Sequence, residues 1–272
     1  MLLGIAVLAG LTAWAAIRVS AIDVEALATG RPGRTALMRQ RAREAATAGR
    51  PWHERQVWVP YERISPYLRH AVLIAEDDAF FSHDGLDWNE IRKSARHDLE
   101  TLRFARGGST ITQQLAKNIW LGSARTSWRK FEEMLLALRL ERTLPKRRIF
   151  ELYLNVIEWG DGVWGCEAAA RRWFGTSAAA LDARQSVRLA AVIINPRRYS
   201  PVEPPRRIER RIRMIASRMR RRGELSEAGW RAVLGLPEPV PAATDSAAAP
   251  PPEAEPAPPP EEAAPADSST TG

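Results

Sequence analysis

The chain has 272 residues, 40 Lys and Arg against 32 Asp and Glu, a formal charge of +8, and one cysteine. A single thiol excludes an intramolecular disulfide and a thiolate metal cluster, and the length fits one domain of ordinary size with appendages. The charge is uneven: residues 238–272 hold seven acids and no Lys or Arg, so residues 1–237 carry a net +15, a field that favours anionic partners such as lipid headgroups, nucleic acid or phosphorylated substrates.

In chain order, residues 2–17, LLGIAVLAGLTAWAAI, are uncharged and apolar. They are short for a membrane span, which Arg18 extends if it snorkels. A single-span anchor over 1–20 is favoured over a cleaved signal with an AWA site. No basic residue precedes the run, and Arg18, Arg31 and Arg34 follow it, which points to a start upstream of Met1. Residues 21–51 are Arg/Ala-rich and read as a stalk or linker, with a helix over 35–48. A mostly helical globular region follows over 52–236. In ISPYLRHAVLIAE, Ser65 is an N-cap and Pro66 the first helical residue. Asp87–Glu90 is a capping-box pattern opening a helix towards Phe104. Ser109 caps STITQQLAKNIW, Ser127 caps WRKFEEMLLALRLE, and Pro145 starts KRRIFELYLN. A turn, GDGVWG, precedes a helix that begins at Cys166, which reads as a small helix-starting residue, not a nucleophile. Asp182 with Gln185 opens DARQSVRLAAVII, and a very basic helix spans about 206–222. At most one short strand, near QVWVP, is expected. From 237 on, the Pro, Ala and Glu composition cannot bury enough apolar surface to order, so this tail reads as disordered.

Three segments can carry chemistry. The first is AEDDAFFSHDG, Ala75–Gly85. Glu76 sits where a helix ends, beside Asp77 and Asp78; the dipole and the neighbouring acids both oppose its ionisation, which suits a general base or acid. A solvated helix end is the plainer reading, and a metal site from Glu76, Asp78, His83 and Asp84 matches no ligand spacing. The second is GGSTITQQLAKN, Gly107–Asn118. Ser109 and Thr110 mark a helix start whose free N–H groups attract anions, and Gln113, Gln114 and Lys117 share one face. The third is RTSWRKFEE, Arg125–Glu133, in which Arg129 and Lys130 are spaced to pair with Glu133 as surface ion pairs or as a phosphate clamp. Ser127–Lys130 also matches S-x-x-K, but no K-T-G partner accompanies it, so the match is read as chance. Of 36 Arg and four Lys in the chain, Lys117 and Lys130 fall in these segments, and Lys146 opens KRRIFELYLN further on.

Taken in order, AEDDAFFSHDG, GGSTITQQLAKN, RKFEE, KRRIFELYLN and INPRRYSP resemble the five motifs of the family 51 peptidoglycan glycosyltransferases, over about 52–220, and in particular the monofunctional biosynthetic transglycosylases. The resemblance implies a mainly α, lysozyme-like glycosyltransferase domain behind an N-terminal transmembrane anchor. It implies a location in the bacterial inner membrane, single-pass, with the catalytic domain on the periplasmic side. The reaction it implies joins lipid II into β-1,4 glycan strands and releases undecaprenyl diphosphate. Glu76 is then the general base and Glu133 the second essential carboxylate. Lys117 and Arg125 hold the donor diphosphate. Asp77, Ser109, Thr110, Gln113, Gln114, Arg129, Lys130, Tyr153 and Asn155 complete the substrate-binding set, with Lys146 and Glu151 more structural. Asp78 departs from the family pattern and is expected to raise the Glu76 pKa further. No cofactor is required and the protein itself supplies no metal site; Mg2+ or Mn2+ at the diphosphate is known in some members. Expected partners are lipid II, the growing glycan strand, the membrane, and penicillin-binding, divisome or elongasome proteins, with no nucleic acid.

A diphosphate leaves well once its charge is held, so cationic donors serve better than a protonating acid, and an inverting displacement needs a base on the opposite face. The alternatives are a lysozyme-like muramidase, whose uncharged leaving group does not need the cations, and an inactive membrane scaffold of the wall-synthesis machinery.

Overall fold

The computed structural model describes residues 2–86, 109–123 and 126–238; for residues 2–9, 11 and 127 only the backbone is described. The helix expected from Asp87, Arg125 and the tail beyond 238 lie outside this set. Up to Pro237 the described residues belong to one compact unit. Ten α-helices among them are α1 (Leu2–Ser20), α2 (Ala36–Thr47), α3 (Pro66–Glu76), α4 (Ile111–Ala116), α5 (Ser127–Thr143), α6 (Lys146–Val156), α7 (Cys166–Phe174), α8 (Ala183–Val192), α9 (Arg206–Arg221) and α10 (Glu227–Leu234). A π-helical turn, Lys117–Leu121, continues α4 directly.

The core is built around α6. Pro145 presets its first turn, and Ile149, Phe150, Leu152, Tyr153, Leu154 and Val156 are all fully buried. Helices α4 and α5 pack together, as do α4 and α6, while α3 packs on α8 and α9. Local signals place most starts. Asp182 and Gln185 form the expected capping box at α8, and Ser65 and Pro66 open α3, although the Ser65 hydroxyl donates to Leu181 O instead of capping. Two caps fall one residue from expectation: Thr110, not Ser109, caps α4, and Thr126, not Ser127, caps α5.

Residues 55–56 (β1), Glu158–Gly160 (β2) and Val163–Trp164 (β3) form a small sheet in the order β1-β3-β2, with β1 parallel and β2 antiparallel to β3. The GDGVWG turn is thus a hairpin; its strands are too short for alternation to show in sequence. The segment expected as a stalk packs on the body. Leu37, Met38 and Ala45 of α2 are buried, and Arg41 pairs with buried Glu158 of β2 at 3.0 Å.

Among the described residues no helix is long and apolar enough to cross a membrane. The C-terminal end of α1 rests on α5. Arg18 pairs with buried Glu132 at 2.9 Å, Trp14 lies 5.8 Å from Trp128, and Arg139 donates to Ser20 O.

The hairpin depends on Gly162. Its φ is +70°, its carbonyl accepts from Arg55 N at 2.8 Å, and a Cβ there would sit 2.1 Å from His53 O. Gly162→Ala is expected to cost about 2 kcal/mol or more of stability, measured as a lower urea midpoint; an unchanged midpoint would contradict this close approach.

Candidate active site

The end of α3 and the start of α4 meet at the site. Glu76 is the last residue of α3, and its side chain is 12% exposed. One oxygen, Oε2, accepts from Gln114 Nε2 at 3.1 Å; the other, Oε1, pairs with Arg211 of α9 at 2.7 Å. The same Arg211 nitrogen donates to Ala75 O at 2.8 Å, closing the end of α3. Burial pushes the Glu76 pKa above the ordinary carboxylate range, against the pull of Arg211, Gln114 and Lys117. The expected direction is found, but its main cause is burial, with Arg211 set against it. Asp78 turns outward to Arg222 at 2.7 Å.

Asp77 does a different job. It is buried, and its carboxylate accepts from His83 Nε2 at 3.1 Å and from the backbone N–H of Ile111, the first residue of α4, at 2.9 Å. His83 Nδ1 accepts from Gly85 N, so Nε2 carries the proton donated to Asp77. The Thr110 hydroxyl donates to Gly85 O at 2.7 Å. The helix start that the sequence offers as an anion site is therefore filled by Asp77. Thr110 N is likewise taken, by Gln113 Oε1, and Gln113 N by the Thr110 hydroxyl. Gln113 is buried in this capping box, so of the expected face Gln114 and Lys117 reach the site and Gln113 does not. Among the described residues no group of three or more His, Cys, Asp or Glu side chains is placed to hold a metal ion.

Gln114 is fixed from behind: the hydroxyl of buried Tyr153 donates to its Oε1 at 3.1 Å. Burial, with Glu76 and Asp77 nearby, pushes the Tyr153 pKa well up, so the hydroxyl stays a donor. The second carboxylate, Glu133, is buried and held between Arg129 NH1 and Lys130 Nζ, each at 2.6 Å; Lys130 also reaches Ser109 Oγ at 2.7 Å. Lys117 lies within the field of both carboxylates. Burial lowers its pKa while Glu133 and Glu76 hold it up. Among the described residues its ammonium has no hydrogen-bond or ion-pair partner. Asn155 is not brought to the cluster. Its amide is used within the protein, accepting from Val59 N and donating to Val59 O and Glu151 O.

A model of the Transglycosylase family matches residues 43–220. The chain belongs to this family. It is 52% identical over 163 residues to a biosynthetic peptidoglycan transglycosylase of Methylobacillus flagellatus, covering 60% of this chain and 71% of the relative. It is 46% identical over 188 residues to the protein of that name from Laribacter hongkongensis, covering 69% and 82%. With the Chromobacterium violaceum protein it shares 48% over 165 residues, covering 61% and 72%.

Within this candidate site, Arg211 is the residue that the sequence alone did not single out. It stands among many arginines of a basic helix, but it falls three residues after Ile208 and four before Ile215, both buried, so helical spacing alone puts it on the inner face. Removing its charge leaves burial of Glu76 less opposed. Arg211→Gln is therefore expected to move the acid limb of the kcat/KM profile for transglycosylase activity to higher pH; a limb that stays in place or moves down would contradict the pairing.

Proposed function

We propose that this chain is a peptidoglycan glycosyltransferase that polymerises lipid II. Glu76 takes the proton from the acceptor sugar 4-hydroxyl. That oxygen attacks C1 of the growing chain's terminal muramyl unit with inversion, the C1–O bond to the diphosphate breaks, and undecaprenyl diphosphate leaves with the electron pair. The observation that carries this reading is the pairing of Glu76, a carboxylate largely buried at the end of α3 with its proton affinity raised, with an ammonium, Lys117, that has no partner among the described residues, in one electrostatic cluster. The carboxylate is poised to accept a proton, and the ammonium is free to take the charge that develops on a diphosphate. Arg125 joins Lys117 in this role. Glu133 holds Arg129 and Lys130 in place around the leaving group, and Asp77 acts by positioning Glu76.

The substrate is a membrane lipid. An anchor at residues 1–20 in the bacterial inner membrane, with the domain on the periplasmic side, keeps enzyme and substrate in one plane and raises their effective concentration. The reading needs no cofactor of the protein's own; Mg2+ or Mn2+ acts, where present, at the diphosphate.

Incubating the purified chain with lipid II is expected to give glycan polymer, and Glu76→Gln to lower the rate about 100-fold or more while the fold, read by circular dichroism, is kept. Polymer formation that survives the substitution would remove Glu76 as the base. Shortening of added glycan in place of polymerisation would make the chain a muramidase.

A further inference from the structure

Gln40 lies before the family match, on α2, and no step above uses it. It touches the other end of the turn that carries Lys117. That turn is π-helical: Gly122 N donates to Lys117 O, five residues back, at 2.8 Å, and Asn118 Nδ2 donates to Gln114 O at 2.7 Å. Such turns are rare and occur mostly as single turns within α-helices. This one ends at Gly122, with φ +72°, where a Cβ would meet Gln40 Oε1 at 2.8 Å. Immediately beyond it, Gln40 Oε1 accepts from Ser123 N at 2.8 Å and Gln40 Nε2 donates to Ser123 Oγ at 2.6 Å. Gln40 is itself held. Its Nε2 also donates to Glu44 Oε1 at 2.8 Å, which fixes which way the amide faces. Glu44 pairs with Arg41 at 2.9 Å and Arg197 at 3.2 Å, and Arg41 pairs with Glu158 of the hairpin. A continuous chain of polar contacts thus runs from β2 and the segment after α8, through α2, to the exit of the Lys117 turn.

We propose that Gln40 is a positioning residue that clamps the Lys117 turn to the body of the domain and so sets the ammonium in place for the donor diphosphate. The proposal rests on the function given above. A cation on an irregular turn serves a diphosphate only if its place is fixed before substrate arrives. The Gln40 amide supplies that restraint from outside the turn, with two hydrogen bonds to one residue.

Gln40→Met keeps the side-chain volume and removes all three side-chain hydrogen bonds, including both to Ser123. Two hydrogen bonds correspond to about tenfold or more. Amide hydrogen exchange across 117–123 is expected to speed up by about that factor. The kcat for polymerisation of lipid II, and kcat/KM with it, is expected to fall by a similar factor while KM changes less, because the clamp sets the ammonium for the charge that develops on the leaving diphosphate. Unchanged exchange overturns the clamp. Faster exchange with unchanged kcat, or a rise in KM alone, overturns the positioning role. If the wild-type chain makes no polymer, the function fails and the role with it, while the exchange result still decides whether the clamp exists.

Discussion

The site hangs on one buried carboxylate, and it is not the proposed base. Asp77 ends α3 and, through Ile111 N, begins α4. At the end of α3 its charge opposes the helix dipole; at the start of α4 the same charge is favourable and satisfies an N–H that the helix leaves unpaired. Joining two helix ends through one side chain fixes their angle and separation. Glu76 is the neighbouring residue, and Gln114 lies one turn into α4, so the Glu76–Gln114 hydrogen bond follows from the Asp77 contact. His83, donating to the same carboxylate, returns the chain after Phe80 to the head of α4.

The electrostatics then follow from which charges find partners. Glu133 has two cations and Asp78 one. Glu76 has Arg211 and a neutral amide, yet burial outweighs them and leaves it a stronger base than an exposed glutamate. Lys117 lies in the field of both Glu76 and Glu133 and is bonded to neither. A cluster with every charge matched would be stable and inert; here, among the described residues, an ammonium without a partner stands near a carboxylate of raised proton affinity, which suits transfer of a proton at one end of the proposed reaction and departure of an anion at the other.

Much of this was legible in the sequence. Pro66, Pro145 and the Asp182–Gln185 box place helix starts because capping chemistry is local, and the carboxylates and lysines stand out in a chain that otherwise writes arginine. What was not legible depends on distant contacts. The free N–H groups at Ser109–Thr110 suggested an anion site, but a side chain 34 residues away fills it. Gln113 and Gln114 are adjacent and alike, yet one closes a cap and the other holds Glu76, a choice made by Tyr153 from another helix. Asn155 sits in a motif and serves the backbone of Val59. Arg211 was hidden by repetition among arginines, and the packing of α2 by its polar composition.

The account's central claim is that burial, opposed by Arg211 and Lys117, leaves Glu76 with a raised proton affinity in the resting enzyme. Titrating the Glu76 side-chain carboxyl by carbon-detected NMR in the wild-type chain, assigned with Glu76→Gln, tests it directly. The account predicts a midpoint above the ordinary glutamate value of about 4.3; a midpoint at or below that value would contradict it.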